Sequence, residues 1–370
     1  MRVLITGGGT AGHIMPAVEV AKALKAKVPD AEFLWVGSTT GMEKDLVPKY
    51  GFEFTSVSTG KVRRYFSFKN ISDMAKIPGG ILQAGNVISR FKPQVVFSKG
   101  GFVSIPAVIA AWMQNIPVLA HESDIVPGLA NTRLAWYATK IALSFPDRNH
   151  YFDEKKTFVS GIPVRQDIYH GKRERALEIC KFKEDRPIIV VTGGSQGSVR
   201  VNEAVLEILP QLLTKFNVIH IAGDLNYGEL EERTKNFVEE GSYRLFGFVG
   251  DEMPHFLAAA EMVIARAGAT STFELIALKK KMLLIPLAES ANNHQHENAQ
   301  YFAEAGVAKV LLEKNLEPHI LYKNVMELLY DVKEEDIAAA CEELVHEDAA
   351  AVMADWLIKL SYYGKNRLES

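Results

Sequence analysis

Two stretches far apart in the chain follow one plan, and that plan restricts the fold more than any other feature. The first runs as an apolar strand, Val3 to Thr6, then the loop GGGTAGH from Gly7 to His13, then Ile14, Val18, Ala21 and Leu24 at helical spacing. From Arg186 the succession returns: a buried strand Ile188 to Thr192, a loop Gly193 to Gly197, and a helix with Val201, Ala204, Val205 and Ile208 on one face. The echo occurs once, so it marks two similarly wound domains and not a repeat array. After each opening, apolar runs alternate with helical patterns: QVVFSKGG, IPVLAHES and KIALSF in the first half, NVIHIAG, YRLFGFVG, MVIARAG and KMLLIPL in the second. Such alternation predicts an α/β fold with doubly wound parallel sheets, and ligand loops at the carboxyl ends of the strands. At 370 residues the chain is also too long for one typical core.

The glycine and proline connection FVSGIPVRQDIY, Phe158 to Tyr169, reads as the hinge. The expected domains are 1–163 with 345–370, and 164–344, the helical pattern from Ala349 to Leu360 crossing back over the first. A net charge of -3 offers no basic field for nucleic acid, which is not expected as a partner. Cys180 and Cys341 are the only cysteines and suit a reducing cytoplasm; no signal-peptide pattern follows Met1. The uncharged run Gly100 to Ala120 is broken by Pro106, Gln114, Asn115 and Pro117, so a buried helix followed by a strand is expected there instead of a membrane span.

Glycines 7, 9 and 12 match the dinucleotide G-x-G-x-x-G pattern, but that fold needs an acid at the end of its second strand to hold the ribose. Gly37 and Ser38 stand there, which argues against a nicotinamide or flavin dehydrogenase. No G-x-x-x-x-G-K-[ST] run occurs, which argues against a P-loop triphosphatase. His294 and His296, beside Glu297, are alternate residues that share no helix face, and no third histidine sits nearby in sequence, so no metal is expected. Nor is any cofactor.

The stretch AEMVIARAGATSTFELIAL, Ala260 to Leu278, reads as strand, tight turn and helix, with Gly268 allowing a steep turn. Thr270, Ser271 and Thr272 crowd hydroxyls into the first helical turn, where N–H groups and the dipole attract phosphate. Glu274, one turn on from Thr270, suits sugar hydroxyls better than phosphate. A nucleoside diphosphate with its ribose on Glu274 fits, and so does an ordinary N-capped helix. The loop TGGSQG likewise fits either a phosphate contact with Ser195 or a plain turn.

Together GGGTAGHIMPA, SKGGFVSIP, HESDIVPGLAN, GIPVR, TGGSQG, RAGATSTFE and HQHENA form, in order, a series that closely resembles the two-domain GT-B glycosyltransferases. Among these it is most similar to those that move N-acetylglucosamine from UDP-N-acetylglucosamine to lipid I in peptidoglycan synthesis. The resemblance implies two Rossmann-like domains facing a central cleft. It implies inverting transfer to the C4 hydroxyl of lipid I, giving lipid II, at the cytoplasmic face of the membrane, with other cell-wall synthesis enzymes as partners. A diacylglycerol glycosyltransferase, a UDP-sugar epimerase and a silent UDP-sugar sensor are the rivals.

Carried over by residue, the resemblance puts Ser195 on the diphosphate, Arg165 over the donor and the backbone of Val249 on the uracil. It puts Ala269, Thr270, Ser271, Thr272, Phe273 and Glu274 at the phosphate and ribose, and Gln295 on the sugar with Asn298 nearby. Thr10, Ala11 and Gly12 would close over the transferred sugar, and His13 would face the acceptor. Two departures stand out. Asp124 replaces an Asn that contacts the donor sugar, and an ionised Asp cannot donate. Phe102 replaces a Tyr on the acceptor side.

The acceptor hydroxyl must lose a proton, and an imidazole suits a general base near neutral pH; His13 fits that role or a positional one. Basic Lys61, Arg63, Arg64 and Lys69, interleaved with Tyr65, Phe66, Phe68, Ile71, Met74 and Ile77, fit contact with an anionic membrane carrying a lipid-linked acceptor.

Overall fold

The computed structural model describes residues 1–60, 68–183, 185–194, 197–288, 293–344 and 348–368. The chain divides into two compact units, Met1–Val164 with Glu347–Ser370, and Arg165–His346.

The first unit runs β1 (Arg2–Thr6), α1 (Ala11–Lys27), β2 (Glu32–Ser38), α2 (Glu43–Leu46), β3 (Glu53–Val57), α3 (Phe68–Phe91), β4 (Val95–Ser98), α4 (Ile105–Met113), β5 (Val118–Glu122), α5 (Leu129–Leu134), β6 (Lys140–Leu143) and β7 (Thr157–Val159). Its strands lie parallel in the order β3-β2-β1-β4-β5-β6-β7.

The second runs α6 (Arg173–Cys180), β8 (Ile188–Thr192), α7 (Val199–Leu212), β9 (Asn217–Ile221), α8 (Asp224–Glu240), β10 (Tyr243–Phe246), α9 (Met253–Ala259), β11 (Ala260–Ala265), α10 (Ala269–Ala277), β12 (Lys281–Leu284), α11 (His294–Glu304), β13 (Lys309–Val310), α12 (Pro318–Tyr330) and α13 (Glu334–Leu344). Its parallel order is β10-β9-β8-β11-β12-β13. A last helix, α14 (Ala349–Leu368), belongs to the first unit.

Strand periodicity explains how the first sheet is covered on both sides. Val3, Ile5 and Phe97 point to one face, beneath Ile14, Val18 and Leu24 of α1 and Met353, Ala354 and Leu357 of α14. Leu4 and Val96, one residue out of phase, point to the other, beneath Ala84 and Ile88 of α3 and Val108 of α4. Trp356 of α14 stacks on Phe158 of β7 at 4.9 Å, and Lys27 pairs with Asp355 at 2.5 Å.

Three short strands have no counterpart among the apolar runs. β3, β7 and β13 are half-exposed and lie at or beside a sheet edge, where alternation of apolar and polar residues is too brief to register. The supposed hinge from Phe158 therefore begins inside β7. The run Gly100 to Ala120 contains α4 and the start of β5, and among the described residues no helix is long and apolar enough to cross a membrane.

Candidate functional site

In each sheet the strand order reverses direction beside its first strand, between β1 and β4 and between β8 and β11. Open α/β sheets bind ligands beyond the carboxyl ends of the strands at such a switch point. The two glycine loops and the RAG turn all begin there.

In the first unit the loop before α1 is already tied to protein groups. The Gly9 N–H donates to Glu43 at 2.9 Å, Trp35 donates to the Gly7 carbonyl at 3.0 Å, and the Ser38 N–H and hydroxyl donate to Glu43 at 2.9 and 2.6 Å. A buried carboxylate thus occupies a loop N–H that a dinucleotide pyrophosphate would need, and its charge repels phosphate. This is a second reason, beside the missing ribose acid, to set aside a dehydrogenase. Glu43 lies in no motif, and nothing in the sequence marks it.

His13 sits in the first turn of α1, partly exposed, with its Nδ1 2.8 Å from the Gly8 carbonyl. A neutral ring that donates there carries its proton on Nδ1 and presents Nε2 as an acceptor. Burial first, then the Lys99 charge, push its pKa below the usual imidazole value, against the Gly8 carbonyl, Asp124 and Glu43. Thr10 is the exposed N-cap residue; Ala11 and Gly12 open the helix. The Phe102 ring lies over the loop, 3.7 Å from where a side chain on Gly9 would begin.

Behind this loop lies a charged cluster built from the SKGGFVSIP and HESDIVPGLAN motifs, of which only Asp124 was assigned a role. Lys99, directly after β4, is wholly buried, and its Nζ donates to the Ser123 hydroxyl. Glu122 accepts from the N–H groups of Asp124 at 3.0 Å and Gly128 at 3.1 Å and from the Asn131 amide at 2.8 Å. Burial and then Asp124 push its carboxyl above the usual range. For Lys99 the sequence signals were its place in SKGGFVSIP and its position at the end of the apolar run QVVFSKGG, where strand ends carry function.

In the second unit the strand–turn–helix around Ala260–Leu278 forms as β11 and α10. Gly268 is not what makes the turn steep. Its φ of -70° and ψ of 127° suit any residue, and an added side chain would meet only Ser271 Oγ at an ordinary 3.5 Å. The hydroxyls of Ser271 and Thr272 both donate to the Gly268 carbonyl at 3.0 Å; Ser271 is exposed and Thr272 fully buried. Ala269 and Phe273 are buried, Phe273 packing edge-on against Phe302 at 5.6 Å, so both face the core and offer a ligand only backbone. Thr270 is half-buried at the helix start. Asn298 is also fully buried, its amide directed at the Ala267 carbonyl at 3.4 Å.

Glu274 and Arg165, 109 residues apart, are joined by a 2.9 Å ion pair with both side chains largely covered, and Asp167 lies 3.6 Å from the same guanidinium. Gln295 accepts the Leu287 N–H at 3.0 Å through its carbonyl, which orients its amide. Val249 is buried in the turn after β10. Ser195 lies outside the described residues, as do Arg63, Arg64, Tyr65 and Phe66; Phe68 opens α3, and its side chain is not described.

Arg266, to which the motif reading assigns no role, ties the strand-end loops together. Its guanidinium donates to the Ile285 carbonyl at 3.1 Å, the Ser198 hydroxyl at 2.6 Å and Glu313 at 2.8 Å, while the other Glu313 oxygen accepts the Ala288 N–H at 3.0 Å. Ser198 caps α7 by accepting from Val201. Burial alone would raise the Glu313 carboxyl; hydrogen bonds from Arg266 and Ala288, with the Arg266 and Arg200 charges, bring it below the usual range. Gly197, before this cap, packs so tightly on the Ala222 carbonyl at φ 73° that no side chain fits. Among the described residues no cluster of three or more histidine, cysteine, aspartate or glutamate side chains suits a metal ion.

Comparison with known proteins agrees with this layout. The Glycosyltransferase family 28 N-terminal domain matches residues 3–143, and the family's C-terminal domain matches residues 188–352. A Clostridium botulinum (strain Langeland) protein named UDP-N-acetylglucosamine--N-acetylmuramyl-(pentapeptide) pyrophosphoryl-undecaprenol N-acetylglucosamine transferase is 42% identical over 325 residues, covering 88% of this chain and 90% of that protein. A Clostridium perfringens (strain SM101) protein of the same name is 40% identical over 328 residues, with the same coverage. In fold, the crystal structure of Acinetobacter baumannii MurG superposes with a TM-score of 0.72 at 23% identity, covering 97% of this chain and 99% of that one. With both units matched by its domains and relatives this similar along most of their length, the chain belongs to glycosyltransferase family 28.

Proposed function

We propose that the protein transfers N-acetylglucosamine from UDP-N-acetylglucosamine to the C4 hydroxyl of lipid I, inverting the anomeric centre and giving lipid II. The observation that carries this reading is its 42% identity, over 88% of the chain, to a transferase of that name. The geometry of each unit supports it. In the second, the start of α10 supplies N–H groups without intrahelical acceptors and the positive dipole end, suited to a diphosphate whose negative charge grows as it leaves. Arg165 orients the Glu274 carboxylate to accept the ribose hydroxyls, and the Gln295 amide supplies donors for the sugar. In the first, Nε2 of His13 takes the proton from the acceptor hydroxyl while Gly8 holds the opposite nitrogen.

Release of UDP from UDP-N-acetylglucosamine in the presence of a lipid I analogue tests the reaction; release without the acceptor, or none with it, rejects the proposal. Glu274→Ala should weaken UDP binding roughly 10- to 150-fold, the loss of a hydrogen bond to a charged group worth about 1.5 to 3 kcal/mol. Calorimetry giving wild-type affinity in a folded variant would remove Glu274 from the ribose site.

The acceptor's lipid anchor favours work at the cytoplasmic membrane surface. Leu82 on α3, Met113 at the end of α4 and Trp136 just after α5 expose 71, 64 and 77% of their surface on helices that pack in the order α3, α4, α5, with basic Lys76 and Arg133 on the same helices. Exposed aromatics and aliphatics beside cations suit insertion into an anionic lipid surface, where the two attractions add. Replacing all three with Ser should lower binding to anionic vesicles at least about tenfold, since burying each side chain contributes roughly 1.5–3 kcal/mol, while turnover of a soluble acceptor persists. Unchanged vesicle binding would move the membrane contact elsewhere.

A further inference from the structure

Lys99 is out of place by ordinary rules, because a lysine is almost never fully buried without a compensating partner and an apolar side chain would fill the same space at no desolvation cost. Its surroundings are organised. The Cβ of Lys99 lies 2.7 Å from where a side chain on Gly7 would start, so the glycine loop rests directly on it. Its Nζ holds Ser123, the middle residue of a loop whose flanking Glu122 is fixed by Asp124, Gly128 and Asn131. On the other side, Gly101 at φ 78° leaves the His13 ring 3.5 Å from the position of its missing side chain.

We infer that Lys99 is a positioning residue of the transfer reaction, a buried cation that locks the Glu122–Asp124 loop beneath the glycine loop and sets a positive charge behind the His13 imidazole. The inference rests on the reading of His13 as the general base. The charged and titratable groups around that imidazole come from four places: Glu43 after β2, Lys99 after β4, His121 on β5 and Asp124 after β5. Asp124 and Glu43 favour the protonated ring; Lys99 opposes them and is the cation in the set. Burial holds the ring toward its neutral form first; without Lys99 the two carboxylates would be opposed by burial alone, and His13 would take up its proton at a higher pH. Burial lowers Lys99 itself to about 8, against Glu122 and Asp124, so it remains mostly charged at neutral pH.

The test follows the His13 ring by NMR across pH in the full-length protein, its signal assigned by its loss in His13→Gln. Lys99→Met should move the His13 midpoint upward and Asp124→Asn downward, with the double variant between them. In kinetics with UDP-N-acetylglucosamine and a lipid I analogue, Lys99→Met should lose roughly threefold more kcat at pH 6 than at pH 8, with the KM for the donor unchanged. A merely structural lysine would lower kcat equally at both pH values and leave the midpoint where it was. Should Lys99→Met fail to fold, the double variant against Asp124→Asn isolates the same charge in a balanced background. An unmoved midpoint in that comparison, or in Lys99→Met, overturns the role of Lys99. A midpoint that moves while the kcat profile does not follow overturns His13 as the base instead, and with it the link to the reaction.

Discussion

His13→Ala should lower turnover by about a hundredfold to ten-thousandfold, the usual contribution of a positioned general base, and leave UDP affinity at its wild-type value. The contacts proposed for the UDP part of the donor lie in the second unit, whereas His13 is held within the first by Gly8 and by α1. Because its pKa lies below the ordinary imidazole value of 6.5, the acid limb of the wild-type kcat profile should also fall below that value. Truncation could instead disturb the glycine loop, so His13→Gln belongs beside it: glutamine can keep the hydrogen bond to the Gly8 carbonyl but cannot accept and pass on a proton. Near-full turnover of the Gln variant at neutral pH would leave His13 only a positional role.

The second large effect is on stability. Arg266→Ala removes the cation from a buried pair and leaves Glu313 without it among the strand-end loops of the second unit; breaking such a pair costs about 3–5 kcal/mol. For a unit of this size that corresponds to a fall of roughly 6 to 20 °C in melting temperature. The Ile285 carbonyl and the Ser198 cap lose their partner in the same step, so UDP affinity should fall as well. The pair Arg266→Met and Glu313→Leu together should recover much of the stability but not the affinity, because an apolar pair fills the space without organising the loops. A single Ala variant melting within about a degree of wild type would show that the network is not what holds them.

Local pattern carried most of the architecture. β1, β8 and β11 and the helices that follow them announce themselves by apolar periodicity within some twenty residues, and the motifs from GGGTAGH to HQHENA were enough to identify the enzyme family. At the site, burial divides residues that one motif names together, because a helix has two faces. In RAGATSTFE, Ser271 is exposed and Thr270 half-buried, whereas packing against the sheet turns Ala269, Thr272 and Phe273 inward.

The sequence by itself determined the two wound units, the order of their loops and the glycines that keep side chains out of them, because these depend on neighbours along the chain and on backbone stereochemistry. Only the tertiary structure decided which charges meet. Glu43 reaches Gly9 because β2 lies beside β1, Lys99 reaches Ser123 because β5 lies beside β4, and Arg266 reaches Ser198 because β11 lies beside β8. Glu274 likewise finds Arg165 across 109 residues. A side chain's partner over such a separation is set by strand order, and strand order follows from the burial of both sheet faces at once, which no local window of residues contains.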